Sequence, residues 1–327
     1  VSRHMQLWDG VVRLATSVTR DDSVRSPAAA PLPEEMKGSA SSSGYTLYEI
    51  SARPWLYELR EKYGSEVTLG SVPDAELQEL KDRAVDMVWL QGVWSLGPAG
   101  LELDRSEHSR MEGYKKALPG FSEEDIIGSP YAVTKWEAME ELGGDEGVAE
   151  FRKRLKALGL KLMLDFVPNH RAVDCEWATD EDKKDYFIRK PEDRNAFYEA
   201  DFMSDGRAHG KDPYTGAWPD TAQLNYWNPE LRKAQTDILT KIASQCDGIR
   251  IDMAMLLINK VVEQTWGREL AATGWSAPGT EFWTDAIAEM RAKFPDTSLM
   301  AEVYWELDSE LFKQGFNFTY DKVLYDI

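Results

Sequence analysis

After Gly44 the chain alternates short apolar, β-branched runs with longer segments of helical period, and this rhythm constrains the fold more than any other feature. The runs fall at residues 46–50, 87–90, 162–167, 248–253, 299–304 and 316–320. Parallel strands need a crossover between them, and a helix is the usual one. The class expected is therefore α/β, with βα units arranged about a parallel sheet.

The intervening helices carry their own start and stop signals. In DEGVAEFRKRLKALG, Val148, Phe151, Leu155 and Leu158 recur at helical spacing with charge on the other faces, and Gly159 is placed to end the helix. Asn228 and Pro229 then open ELRKAQTDILTKIASQ as N-cap and first-turn proline.

Ahead of this pattern, residues 1–44 form a separate region. Residues 26–44, SPAAAPLPEEMKGSASSSG, bury too little apolar surface to order themselves and read as a linker. The segment before it, with Leu7, Trp8, Val11, Val12 and Leu14, reads as a poorly ordered or truncated tail, with a short amphipathic helix as the alternative.

Charge and composition exclude several functions. Acidic residues outnumber basic ones 57 to 38, for a formal charge of -19, so neither a nucleic-acid groove nor an anionic membrane surface is expected as a partner. No apolar stretch reaches the about 18 residues that a membrane span requires. Cys175 and Cys246 have no metal-ligand spacing and lean only slightly towards a reducing, cytoplasmic setting. Strand direction puts them at opposite ends of the sheet, so they should not be bonded. Oligomeric state is not legible.

Between the third run and Pro229 lie roughly sixty residues, too many for an ordinary βα loop. They are rich in aromatics: Trp177, Tyr186, Phe187, Phe197, Tyr198, Phe202, Tyr214 and Trp218. Such an insert follows the C-terminal end of a strand, where barrel enzymes elaborate their sites. Most of these rings are expected to form the insert's own core.

The chemistry gathers at strand ends. In GIRIDMAM, Arg250 and Asp252 lie two apart on a strand and so share a face, and a neighbouring arginine favours an ionised carboxylate. In LMAEVYW, Glu302 ends the next strand. Carboxylates at two adjacent strand ends suit acid/base and nucleophilic work on a glycosidic bond.

LDFVPNH (164–170), GIRIDMAM (248–255) and AEVYW (301–305) resemble three sequence blocks of the α-amylase family, glycoside hydrolase family 13, in order and spacing. GSPYAVTKW, with Tyr131, and AQLNY (222–226) resemble two more, and the resemblance covers about residues 45–327. It implies a TIM-type (β/α)8 barrel, incomplete with strands 1–6 present, and an inserted domain B at 171–226. It implies a retaining hydrolase or transglycosidase acting on α-glucosidic bonds of oligo- or polysaccharides, with an α-glucan or α-glucoside as substrate. Asp252 would be the nucleophile and Glu302 the acid/base, with Arg250 orienting the nucleophile. Asp165, His170, Tyr131 and Trp305 would bind or support the substrate. The chemistry requires no cofactor.

Three departures accompany the resemblance. Met255 and Leu256 stand where many α-amylases have Lys and His, which alters contacts to the leaving part of the substrate. Gln223 stands where calcium-dependent members have Asp, leaving Asn169 as a calcium ligand without the rest of its set. The family's third catalytic aspartate follows the seventh strand, whereas Ile327 falls just past the sixth, and Asp321 and Asp326 are misplaced to substitute. The chain as given is accordingly expected to be an inactive piece of a longer protein. A non-catalytic relative that binds sugar or protein is the alternative.

Overall fold

The computed structural model describes residues 11–13 and 45–325. Its main sheet contains β1 (Val11–Arg13), β2 (Thr46–Ser51), β3 (Met87–Gln91), β6 (Lys161–Phe166), β9 (Gly248–Ile251), β10 (Ser298–Ala301) and β11 (Phe318–Thr319), hydrogen-bonded in that order. From β2 to β11 all neighbours are parallel, and order in space follows order in sequence. These six parallel strands form a curled half-barrel. All six expected runs are therefore strands, although the last three are shorter than their apolar patterns.

The expectation for the tail is corrected at one point. Val11–Arg13 is neither helix nor unpaired chain but a strand antiparallel to β2. Val11 and Val12 are β-branched, and β2 offers them a row of otherwise unpaired backbone groups. The rest of the tail and linker, 1–10 and 14–44, lies outside the described residues.

Helices α1 (Ala52–Tyr63) and α2 (Asp74–Asp82) connect β2 to β3. The path from β3 to β6 runs through β4 (Trp94–Leu96), α3 (Pro98–Ser106), α4 (His108–Ala117), β5 (Val133–Ala138) and α5 (Gly144–Ala157). β4 and β5 make a small antiparallel pair. Later come α6 (Pro229–Gln245), α7 (Asn259–Ala272), α8 (Phe282–Lys293), α9 (Asp308–Lys313) and α10 (Lys322–Tyr325).

α5 buries Val148, Phe151 and Leu155, as its periodicity requires, and Gly159 beyond its end takes φ +75°. At about 1.5–3 kcal/mol for each fully buried large side chain, this face anchors α5 more strongly than intrinsic propensity does. The Asn228 side chain accepts hydrogen bonds from the amides of Glu230 and Leu231, and Pro229 occupies the first turn of α6.

Alternation along the strands divides the core into two layers. Val88, Leu90, Leu162, Leu164, Ile249, Ile251 and Leu299 belong to the large cluster between sheet and helices. Leu47, Met87, Trp89, Met163 and Met300 form a second cluster on the other face, backed by Phe318 and Tyr320. That inner face is apolar at the strand starts and polar at their ends, because Glu49, Asp165 and Arg250 continue the same alternate rows. Cys175 and Cys246 are buried and unbonded, as strand direction requires.

The insert begins where β7 (His170–Ala172) pairs antiparallel with β8 (Thr221–Gln223). Between them run short 3-10 turns and isolated bridges. Tyr186 and Phe187 are buried, Trp177 packs edge-on against Tyr186 at 5.1 Å, and Phe197 packs on Phe202 at 5.4 Å. Tyr198 and Tyr214 instead project into solvent.

Candidate active site

Strand register sets the site before any side chain is considered. Asp165 lies beside Arg250, and Met300 lies on the other side of Arg250. Two residues further along the same inward-facing rows, Asp252 and Glu302 sit just beyond the ends of β9 and β10. Their backbones stay tied to the sheet: the Asp252 amide donates to the Phe166 carbonyl at 2.9 Å and the Glu302 amide to the Ile251 carbonyl at 3.0 Å.

Arg250 is the centre of the arrangement. Its Nη1 donates to Asp252 Oδ1 at 3.0 Å and reaches Asp165 Oδ1 at 3.5 Å, while Nη2 meets Glu302 Oε2 at 2.5 Å. Its Nε donates to the Tyr320 hydroxyl at 3.0 Å, and the guanidinium lies 5.1 Å from the Tyr131 ring centroid and 5.2 Å from that of Trp89. Burial alone would favour the neutral form of Arg250, but Tyr320, Asp252 and Glu302 outweigh it and hold the guanidinium charged.

Each carboxylate has further fixed donors. Glu302 Oε2 also accepts from the Met253 amide at 2.9 Å, and Oε1 from the Tyr304 hydroxyl at 2.6 Å. Met253, whose amide makes the first of these bonds, has φ +44°, a strained conformation for a residue with a side chain. Asp165 accepts from the Trp89 indole at 3.1 Å and from the Gly92 amide at 3.4 Å.

One cation among this many buried carboxyls cannot neutralise them all. Burial above all, with the charges of Glu302 and Asp165 added to it, raises Asp252 to about 8 against the downward pull of Arg250. Arg250 thus acts in the expected direction but is outweighed, so the expectation that it holds Asp252 ionised is modified. Burial likewise raises Asp165 to about 6 and Glu49 to about 7. The site retains a proton near neutrality, shared within a coupled group rather than owned by one residue.

The other expected residues fall around this centre. Tyr131 is held by Gln91 Nε2, which donates to its hydroxyl at 2.5 Å. His170 is buried, is hydrogen-bonded to the Tyr131 backbone and packs edge-on against Trp218 at 5.2 Å. Burial lowers its pKa to about 4, so the imidazole is neutral. Trp305 lies further out, 36% exposed. Sequence reasoning missed Tyr304, Tyr320, Trp89, Gln91 and Glu49. The last three lie on the inward rows of β2 and β3, and period-two alternation was the signal that could have found them.

Asn169, the expected calcium-ligand candidate, is hydrogen-bonded to Gln223. Its Oδ1 accepts from Gln223 Nε2 at 3.0 Å, its Nδ2 donates to Gln223 Oε1 at 3.3 Å, and the Lys211 amide points at that same Gln223 oxygen. Calcium takes six to eight oxygens. Among the described residues no group of three or more His, Cys, Asp or Glu could hold a metal, and no helix is long and apolar enough to cross a membrane.

The family described as alpha amylase, catalytic domain, matches residues 77–317. An alpha-glucosidase of Culex pipiens is 30% identical over 135 residues, covering 37% of this chain and 23% of that protein. The crystal structure of an alpha-amylase from Lactobacillus plantarum is similar at 25% identity and a TM-score of 0.53, covering 86% of this chain and 51% of that one. The trehalose-6-phosphate hydrolase of Bacillus licheniformis shares the fold at 14% identity and a TM-score of 0.54, covering 84% and 48%. The chain spans about half the length of these solved structures.

Proposed function

The chain belongs to the α-amylase catalytic-domain family, and from that membership we propose that it carries the catalytic centre of a retaining glycoside hydrolase or transglycosidase acting on α-glucosidic bonds. The observation that supports this best is the single buried guanidinium of Arg250, shared by carboxylates at the ends of two adjacent parallel strands. Asp252 attacks the anomeric carbon while Glu302 delivers a proton to the departing oxygen. Glu302 then takes a proton from the water that releases the sugar. Retention calls for carboxyl groups roughly 5–5.5 Å apart, a separation compatible with two carboxylates bridged by one guanidinium.

The proton inventory agrees with these roles. The Asp252–Glu302 pair needs one proton, carried by Glu302 at the moment of cleavage, and burial together with repulsion among the carboxyls favours keeping a proton in the site against the pull of Arg250. Tyr131 offers a ring face to the sugar. Neutral His170 offers a ring nitrogen to a hydroxyl, and Asp165 holds Arg250 in place.

Because the chain as given is expected to be inactive, the test is made on the chain continued through the barrel's seventh and eighth strands, and reads the anomeric form of the first product released from an α-glucoside by proton NMR. The α-anomer is expected. Initial release of the β-anomer would mean inversion and would remove Asp252 as nucleophile.

A further inference from the structure

Outside the carboxylate cluster, a line of polar side chains runs along the strand ends to Tyr131. Ser51 and Gln91, the last residues of β2 and β3, are register partners and end the inward rows that carry Glu49 and Trp89. The Ser51 hydroxyl donates to Gln91 Oε1 at 2.8 Å, and Gln91 Nε2 donates to the Tyr131 hydroxyl at 2.5 Å.

The first of these bonds replaces a helix cap. Ser51 is the N-cap residue of α1, where a serine side chain ordinarily accepts from an amide of the first turn. Here it makes no such bond and is turned to Gln91 instead. Its donation to the amide oxygen fixes the orientation of Gln91, so that the NH2 is the end presented to Tyr131. Burial above all raises Tyr131 above the usual phenol range, so its hydroxyl keeps its own proton while the oxygen accepts from Gln91.

The backbone serves the same end. Gly92, directly after Gln91, has φ +74°, and a Cβ there would lie 3.0 Å from the Cβ of Pro130. Glycine thus lets the end of β3 pack against the residue that precedes Tyr131. Ser129 Oγ accepts from the Tyr131 amide at 3.3 Å. Tyr131 is therefore held at its hydroxyl and at its backbone by different segments. Because the Arg250 guanidinium lies 5.1 Å from the ring centroid, any tilt of the ring also disturbs the surroundings of that cation.

We propose that Gln91, its amide direction set by Ser51, is a positioning residue for the reaction: it fixes the tilt of the Tyr131 ring and thereby the placing of the anomeric carbon against Asp252. The inference rests on the glycosidase reading, which puts the sugar on Tyr131.

Two readouts test it. With 3-fluorotyrosine at position 131 of the full chain, one sharp fluorine resonance is expected, and Gln91→Met, which removes the donor, should split or broaden it. In the chain continued through the barrel's seventh and eighth strands, Gln91→Met should lower kcat/KM for an α-glucoside roughly tenfold, since small misplacements of a reacting centre are costly. Ser51→Ala, at the exposed end of the line, should lower it less. With thermal melts as the folding control, Gln91→Met in a Tyr131→Phe background should change kcat/KM by less than about twofold, because the hydroxyl through which Gln91 acts is gone. Equal losses in the two backgrounds, or an unchanged fluorine line, overturn the proposal and leave the glycosidase reading intact. No turnover of α-glucosides by the native continued chain overturns that reading, and the fluorine line still decides whether Gln91 orients Tyr131.

Discussion

Arg250 is the residue on which the site's electrostatics depend, because removing it leaves Asp165, Asp252 and Glu302 facing one another without a cation. Breaking a buried ion pair from one side typically costs about 3–5 kcal/mol. Arg250→Ala is therefore expected to lose stability of that order in urea denaturation, and in the chain continued through the whole barrel glycosidase turnover should fall by more than about 100-fold. Asp252→Asn should act in the opposite sense on stability. Its folded pKa is raised from 3.8 to about 8, so folding favours the protonated form and loses stability as pH rises through that window. The melting temperature of Asp252→Asn should exceed that of the native chain, with the gap widening from about pH 4 to about pH 8; a gap independent of pH would contradict the raised pKa. Asp165 and Glu49 shift in the same direction, whereas His170, lowered from 6.5 to about 4, opposes them below pH 6.5. The native chain should accordingly lose stability between pH 6.5 and 8. Arg250, Asp252 and Glu302 were legible in sequence because they stand in continuous blocks at strand ends. Tyr320 and Tyr304 were not, since a tyrosine beyond a strand carries no sign of which hydroxyl contact it will make.

At the level of elements, the strands and the helices that cover them were readable, because apolar period and capping chemistry are local. The Asn228 side chain satisfies two amides at the start of α6 and also donates to the Asp185 carbonyl at 3.0 Å. Asn228→Ala is expected to cost about 1–2 kcal/mol, measured as a drop in the urea midpoint; no change would mean that α6 is fixed by packing alone. The β4–β5 pair escaped notice because its strands are short and its register shifts twice, so no clean alternation marks it. Strand ends were overextended at β9 and β10 for a different reason. Asp252 and Glu302 keep backbone bonds to the sheet while turning out of it, and sequence pattern cannot separate the last ladder residue from the first one beyond. Pairing of Val11–Arg13 with β2 was also hidden, since three residues inside a polar tail hold too little periodicity to signal a strand.

Across the whole molecule, a formal charge of -19 and several buried carboxyls make the chain's behaviour strongly dependent on pH. In the chain continued through the whole barrel, turnover should rise as pH approaches about 8, where Asp252 loses its proton and becomes able to attack. A pH–rate profile flat from about pH 5 to about pH 8 would contradict the raised pKa of Asp252. The half-barrel places its site where neighbouring parallel strands end, and this was foreseeable from the βα rhythm together with the family blocks. What the rhythm could not show is that one side chain, Arg250, gathers the carboxylates of three strands, because that depends on register between segments some eighty residues apart in sequence. The most direct measurement of the account is mass spectrometry of the chain, continued through the barrel's seventh and eighth strands, after reaction with an activated fluoro-α-glucoside that forms a glycosyl-enzyme quickly and releases it slowly. A single glycosyl group on the peptide containing Asp252, absent from Asp252→Asn, is the expected result; a label on Glu302 or Asp165, or no covalent adduct at all, would contradict it.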